Sequence, residues 1–306
     1  MKLSVEFPSI AYREGPAAIV RLAKAIEHIG FDHIEVFDHV VMGYPAPGRS
    51  EPVYPPQMPV LEALMTLGYI AAATDRIGLG TEVLVLPQRQ PLLVAKQVST
   101  LDTLSGGRVR LGVGIGWQES EYDALEEEFG NRGQRMDEAI VLMRACWADE
   151  QIDFDGKFYS PTAMAMEPKP TQGSRLPIWI GGAAPQALRR VGQLGDGWHA
   201  GGIEDFGEAA LMMSEIRRHA EAAGRDPAVL GAQMMLNMPP RVGSDKGFYN
   251  NRDAVLRRAS SIAELGFECA LNATEIFQAG ARSVDAMIEK LGELFEAIRA
   301  EVGGPP

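Results

Sequence analysis

The sequence predicts a (β/α)8 barrel with insertion loops at the C-terminal face of its strands. Three observations predict it. Strand-like apolar runs alternate with amphipathic helical runs, which implies a parallel sheet with helical crossovers. The alternation repeats eight times over 306 residues, the number and length that a closed barrel needs. The turn after the first strand, Pro8-Ser9-Ile10-Ala11-Tyr12-Arg13, lacks the GxGxxG run that a doubly wound open sheet would want there.

The elements follow in order. Leu3–Phe7 reads as a strand and Pro16–Ile29 as a helix. His33–Phe37 precedes a helix over Val60–Ala73, and Ile77–Leu86 one over Leu92–Leu104. Ser105-Gly106-Gly107-Arg108 is a helix stop followed by a strand start. That strand, Val109–Gly114, precedes a helix over Met136–Trp147. Pro177–Ile180 precedes Pro185–Leu194, where Pro185 suits a first helical turn. Gly197–Ala200 precedes Phe206–Ala223, Gln233–Met238 precedes Ala254–Leu265, and Phe267–Asn272 precedes Val284–Arg299. The strands read as apolar on both faces, as parallel strands covered by helices should. No low-complexity tract or Ser/Gly linker interrupts the series, so residues 1–306 are expected to form a single barrel domain.

Three connections are too long for simple turns. Met42–Pro59 follows the second strand and holds Tyr44, Tyr54 and six prolines. Ala148–Leu176 includes a candidate hairpin at Phe154–Tyr159. Pro239–Arg252 follows the seventh strand. The first and third leave C-terminal strand ends, where a barrel builds its site, and are lid candidates.

Composition narrows the function. Hydrophobic residues make up 46% and charged ones 23%, which excludes a disordered or fibrous chain. The net charge of −12 argues against nucleic-acid or anionic-membrane partners, which need a basic face. No apolar run reaches the roughly 18–20 residues of a membrane span. The start, Met1-Lys2-Leu3-Ser4-Val5-Glu6-Phe7, has no signal-peptide pattern. The two cysteines, Cys146 and Cys269, sit in apolar settings and read as core. A cytoplasmic protein is therefore expected.

Chemistry is expected at the strand ends. Gly181-Gly182-Ala183-Ala184-Pro185 leads into a helix and offers free N–H groups to an anion such as phosphate. Gly112, Gly114 and Gly116 strip side chains from one face of the fourth strand, which would let a flat ligand approach. Of the five histidines, only His39 and His199 fall at strand ends. None forms an HxH pair or HExxH helix, so no metal site is expected. His39, next to Asp38, could move a proton near neutrality. Glu82 interrupts an apolar strand; either the strand bulges there or Glu82 faces the barrel mouth. Glu119 and Glu121 could serve as acids. The run Gln118–Glu128 holds six carboxylates, however, and reads mostly as a solvated face. Glu82 and Glu275 could be posed as a glycosidase pair, but no spacing favours it.

A set of motifs then resembles the luciferase-like monooxygenase superfamily. It comprises Thr81–Pro87, Pro91–Gln97, Thr100–Arg108, Leu111–Trp117, Arg132–Glu138, Phe154–Tyr159, Pro168-Lys169-Pro170, Ile180-Gly181-Gly182 and Leu194–Trp198. The resemblance covers about residues 1–205 well and the rest loosely. It implies a (β/α)8 barrel, often a homodimer, using reduced FMN or the deazaflavin coenzyme F420. The Asp38-His39 pair and the Gly114-Ile115-Gly116-Trp117 run resemble the F420 branch. There the His lies near the reactive ring carbon, and the bulge, here Glu82-Val83, often carries a non-prolyl cis peptide behind the ring. Glu82 departs from the small or amide-bearing residue usual at that position.

By this resemblance His39 does the proton work or pins the substrate, with Asp38 setting its charge. Glu82, Val83, Gly114, Gly116 and Trp117 flank the ring, and Gly181, Gly182 and Ala183 take the phosphate. Arg49, Arg89 and Lys169 are candidates for a local basic patch that meets the anionic tail. The implied function is hydride transfer between F420 and a small organic substrate. One alternative is an FMN-dependent two-component monooxygenase, which alone would need a flavin reductase partner. The other is a non-catalytic flavin-binding relative.

Overall fold

The structure, a computed structural model, describes residues 1–49, 53–237 and 247–303. Among these, nine strands pair in parallel as one sheet. They are β1 (Leu3–Glu6), β2 (His33–Val36), β3 (Gly78–Thr81), β4 (Leu84–Val85), β5 (Val109–Gly114), β6 (Ile178–Gly181), β7 (Gly197–His199), β8 (Gly231–Met235) and β9 (Glu268–Asn272). Their spatial order is β3-β2-β1-β9-β8-β7-β6-β5-β4, and β3 also pairs with β5, which closes the sheet. β3 and β4 are two halves of one stave, so the closed barrel has the eight staves expected.

The expected strand over Ile77–Leu86 is thus interrupted at the Glu82–Val83 peptide, which is cis. The bulge is one of the two alternatives that the lone glutamate left open.

The helices are α1 (Pro16–Ile29), α2 (Ala63–Ala71), α3 (Pro91–Ser105), α4 (Glu119–Ala124), α5 (Arg132–Ala148), α6 (Pro185–Leu194), α7 (Phe206–Ala222), α8 (Arg252–Glu264), α9 (Ala273–Gln278) and α10 (Val284–Val302). Caps fix their starts. The Glu62 carboxylate accepts from the Met65 N–H at 2.7 Å, which starts α2 three residues later than expected. Asp205 and Ser283 cap α7 and α10 at the expected positions. Gly30 and Gly106 close α1 and α3 in the left-handed conformation, with φ of 109° and 71°.

Outward strand residues such as Val5, Ile34, Leu79, Val113 and Ile180 are fully buried under the helices. The inward face is not apolar, contrary to expectation. Arg110 donates to Glu35 at 2.5 Å, to Gln233 at 2.7 Å and to Glu268 at 2.6 Å. Ser4 donates to Gln233 at 3.0 Å. Trp179 fills the adjoining space because Gly197 and Gly231 face it; a Cβ there would lie 2.3 and 2.5 Å from its ring. The Arg110 guanidinium stacks on that indole at 4.1 Å. The barrel is plugged by a polar layer, and the cavity lies above it.

The Phe154–Tyr159 segment makes a hairpin-like turn without strands, held by an Ile152–Met164 bridge and a Gly156–Tyr159 bond of 3.0 Å. Glu138 of α5 pins it by accepting from three of its N–H groups. Both cysteines are free and buried. Of the lid candidates, residues 50–52 and 239–246 lie outside the described residues, as does Met238 of the expected seventh strand. Among the described residues no helix is long and apolar enough to cross a membrane.

Candidate functional site

A cavity of about 350 Å³ opens at the C-terminal ends of the strands. That volume is in the range of small-molecule sites. Nine of the ten expected site residues line it: Asp38, His39, Glu82, Val83, Gly114, Gly116, Trp117, Gly181 and Gly182. Ala183 follows them at the rim, is exposed, and does not line the cavity.

His39 follows β2 and forms one wall. Its ring is buried beside Phe37, Trp117 and Tyr54, with centroids 5.0, 5.5 and 6.3 Å away. Tyr54 brings part of the Met42–Pro59 loop into this wall. His39 Nδ1 lies 2.9 Å from Glu121 Oε2, and the other Glu121 oxygen accepts the Val40 N–H at 2.6 Å. Burial opposes ionisation of Glu121, yet the His39 ring and the Val40 N–H hold its carboxyl below the usual range. An ionised Glu121 fixes the proton on Nδ1 and leaves Nε2 as the ring nitrogen that can accept one.

This corrects two expectations. Asp38 does not bond to His39: its oxygens accept the Val85 N–H at 2.9 Å and the Arg89 guanidinium at 2.8 Å. Asp38 therefore ties β2 to the bulge. Glu121 is 1% exposed, so it is not part of a solvated face. Of the two candidate acids in that run, Glu121 is the one that meets His39. The sequence signal that could have singled it out is Tyr122, an aromatic inside the acidic run, which α4 buries together with Glu121.

The bulge, on the stave next to β2, forms the adjoining wall. A Cβ on Gly114 would lie 2.6 Å from Val83 Cγ2, and one on Gly116 2.7 Å from Val85 Cγ1. These glycines admit the side chains of the bulge rather than leaving a bare shelf. Gly181 extends the same surface, its notional Cβ 3.2 Å from Val83 Cγ1. Gly182 has φ of 119°, and no side chain caps the N-terminus of α6. Arg89 and Lys169 are not free for an anion. Arg89 binds Asp38, and the Lys169 ammonium donates to the Cys146 and Asp149 carbonyls at 2.9 and 2.6 Å. Arg49 is exposed in a smaller recess beside Trp117.

The floor holds Glu6, Glu82 and His199. Both Glu82 oxygens, Glu6 Oε2 and His199 Nε2 find no hydrogen-bond partner among the described residues. Burial and then the neighbouring Glu35 charge push Glu82 well above the carboxylate range. Burial and then Glu82 push Glu6 up to about 8. Burial drives His199 down to about 4, so it is neutral. Glu275 does not line the cavity; it accepts from Asn237 at 2.8 and 2.9 Å, so it forms no glycosidase pair with Glu82.

The model of the luciferase-like monooxygenase family matches residues 3–259. The chain belongs to that family. A protein of Mycobacterium tuberculosis described as uncharacterized is 35% identical over 215 residues, 67% of this chain and 72% of that protein. The F420-dependent glucose-6-phosphate dehydrogenase of Nocardia farcinica is 32% identical over 231 residues, 73% of this chain and 65% of that one. The F420-dependent hydroxymycolic acid dehydrogenase of Mycobacterium tuberculosis is 33% identical over 232 residues, 74% and 60%. Among solved structures, the monooxygenase RslO1 of Streptomyces bottropensis superposes with a TM-score of 0.74 at 22% identity, covering 95% of this chain and 98% of that one. An F420-dependent secondary alcohol dehydrogenase superposes with a TM-score of 0.69 at 21% identity, covering 97% and 99%. These structures share the luciferase-like barrel fold. The family match and the F420-dependent relatives support an oxidoreductase.

Proposed function

We propose that this luciferase-like protein transfers a hydride between coenzyme F420 and a small organic substrate, with His39 moving the accompanying proton. The observation that carries the reading is the His39–Glu121 pair, 2.9 Å apart, with His39 lining a mostly apolar cavity and Glu121 behind it. The relatives named F420-dependent dehydrogenases support the choice of coenzyme. The cavity fits a flat ring: Val83, Val85, Trp117 and Tyr54 all line it. The uncapped start of α6, at Gly182 and Ala183, suits a phosphate, since its N–H groups point at an anion with the helix dipole behind them.

A bound deazaflavin supplies a carbon that accepts or releases a hydride, with little reaction toward oxygen. The rest is done by the chain. His39 Nε2 takes the proton of a substrate hydroxyl in the oxidative direction and returns it in the reductive one. Glu121 stabilises the imidazolium that forms. Asp38 holds the bulge against β2 and so sets the ring's backing. Trp117 and Tyr54 exclude water. In this reading the enzyme works in the cytoplasm as a homodimer and needs no reductase.

The test is a fluorescence titration of ligand-free protein with oxidised F420 and, separately, FMN. Tighter binding of F420 supports the reading. Tighter binding of FMN moves it to a two-component monooxygenase with a flavin reductase partner. Binding of neither refutes the phosphate seat at Gly181–Ala183.

A further inference from the structure

We propose that Glu6, backed by Glu82 and His199, forms a hydrogen-bonding subsite at the cavity floor for a cyclic imide edge, the C(=O)–NH–C(=O) run that deazaflavins and flavins share. The proposal rests on the reading of the cavity as a ring site and says how the chain holds one end of that ring.

The geometry carries it. Glu6 ends β1 at the barrel mouth, is 3% exposed and lines the cavity, and its Oε2 has no partner among the described residues. A buried carboxyl oxygen without a partner costs stability unless something binds it. The groups packed around it set its charge. Glu82 faces it from the bulge, Asn272, whose amide favours the ionised form, from β9, and the Tyr249 hydroxyl feels its charge. Around Glu82 in turn stand Glu35 from β2, Arg110 from β5, His199 from β7 and Gln233 from β8, with Glu268 beyond Arg110. The permanent Arg110 charge is taken by Glu35 and Glu268. Nothing is left to neutralise Glu6 and Glu82, so they keep their protons.

A neutral carboxyl presents an O–H donor beside a C=O acceptor. Its complement is an acceptor beside a donor, and an imide edge is that complement. A cation fits less well. Glu35, Glu82 and His199 bring ligating atoms within 4.8 Å of one another, but Arg110 already occupies Glu35 at 2.5 Å. An anion is repelled by any acid that ionises.

The experiment measures F420 and FMN affinities by fluorescence from about pH 6.5 to about pH 9.5, on both sides of the titration of Glu6 at about 8. Wild type is compared with Glu6→Gln, Glu6→Leu and Glu82→Gln, and melting curves check folding. Glutamine keeps a donor beside an acceptor at every pH. The expected result is that wild-type affinity falls roughly tenfold relative to Glu6→Gln across this range. Glu6→Leu binds roughly tenfold more weakly than wild type at the acid end. Glu82→Gln moves the wild-type fall to lower pH. A constant ratio of wild type to Glu6→Gln overturns the proposal, as does a folded Glu6→Leu that binds like wild type at the acid end. If Glu6→Leu does not fold, the Glu6→Gln ratio decides. Failure of wild type to bind either ring refutes the ring-site reading itself, whereas binding without Glu6 dependence refutes only this subsite.

Discussion

Two histidines line the same cavity, each beside a carboxylate, and the two pairs are in opposite states. His39 and Glu121 form a bonded pair at 2.9 Å, with backbone N–H groups on the second carboxylate oxygen. His199 and Glu82 lie 3.5 Å apart with no donor on Glu82 among the described residues. Glu121 is held ionised. Glu82 is held protonated and His199 neutral. The same residue types give a proton-moving wall and a neutral floor. What differs is the supply of donors: two backbone N–H groups reach Glu121, whereas Glu82 meets the charge of Glu35. Tuning by environment, not by residue choice, separates the two roles.

The comparison can be broken at its wall first. Replacing His39 with Ala should lower turnover roughly 10²- to 10⁴-fold, while F420 affinity stays within about threefold. Steady-state rates on a screen of alcohols, ketones and enones, beside a titration, check this. A variant with full turnover removes His39 from the chemistry. Glu121→Gln keeps the shape and removes the charge behind the ring. About 2 kcal/mol of charged hydrogen bonding is lost, roughly 30-fold in rate. The sharper signature is a changed pH–rate profile.

The floor predicts a stability effect of the opposite sign. Glu6 titrates at about 8 in the fold against 4.5 unfolded. The folded state therefore binds the extra proton between those values, and its stability falls as pH rises through them. Glu6→Gln has no such slope. It should gain on wild type by up to about 1.4 kcal/mol per pH unit in that window, read from melting temperatures in parallel buffers. The smallest effect is expected at the rim. Arg49→Ala removes an exposed cation and should change F420 affinity about threefold or less; a larger loss would give the coenzyme tail a basic contact there.

Much of the fold was legible because its signals are local. Pro185 marks the start of α6, and its expected range matches the observed one residue for residue. α2 was placed early because Glu62 acts as a cap, which the apolar period does not register. The break between β3 and β4 falls at Glu82-Val83, where both the lone glutamate and the family resemblance pointed. The site was legible as positions but not as partnerships. His39, Val83 and Trp117 fall where strand ends put them. That Asp38 serves Arg89 while Glu121 serves His39 depends on contacts across 51 and 82 residues of chain. The polar barrel interior carried a signal that went unused. Glu6, Glu35, Arg110 and Gln233 are hydrophilic residues inside otherwise apolar strands, a pattern that helix-covered outer faces do not tolerate.

The central claim is that this cavity seats a deazaflavin ring against the bulge and the His39 wall. A crystal structure of the protein grown with oxidised F420 tests it most directly. The account predicts the ring against Val83, its imide edge at Glu6 and its phosphate at Gly182 and Ala183. Density for F420 elsewhere on the barrel, or a ring turned with its imide edge away from the floor, would contradict it.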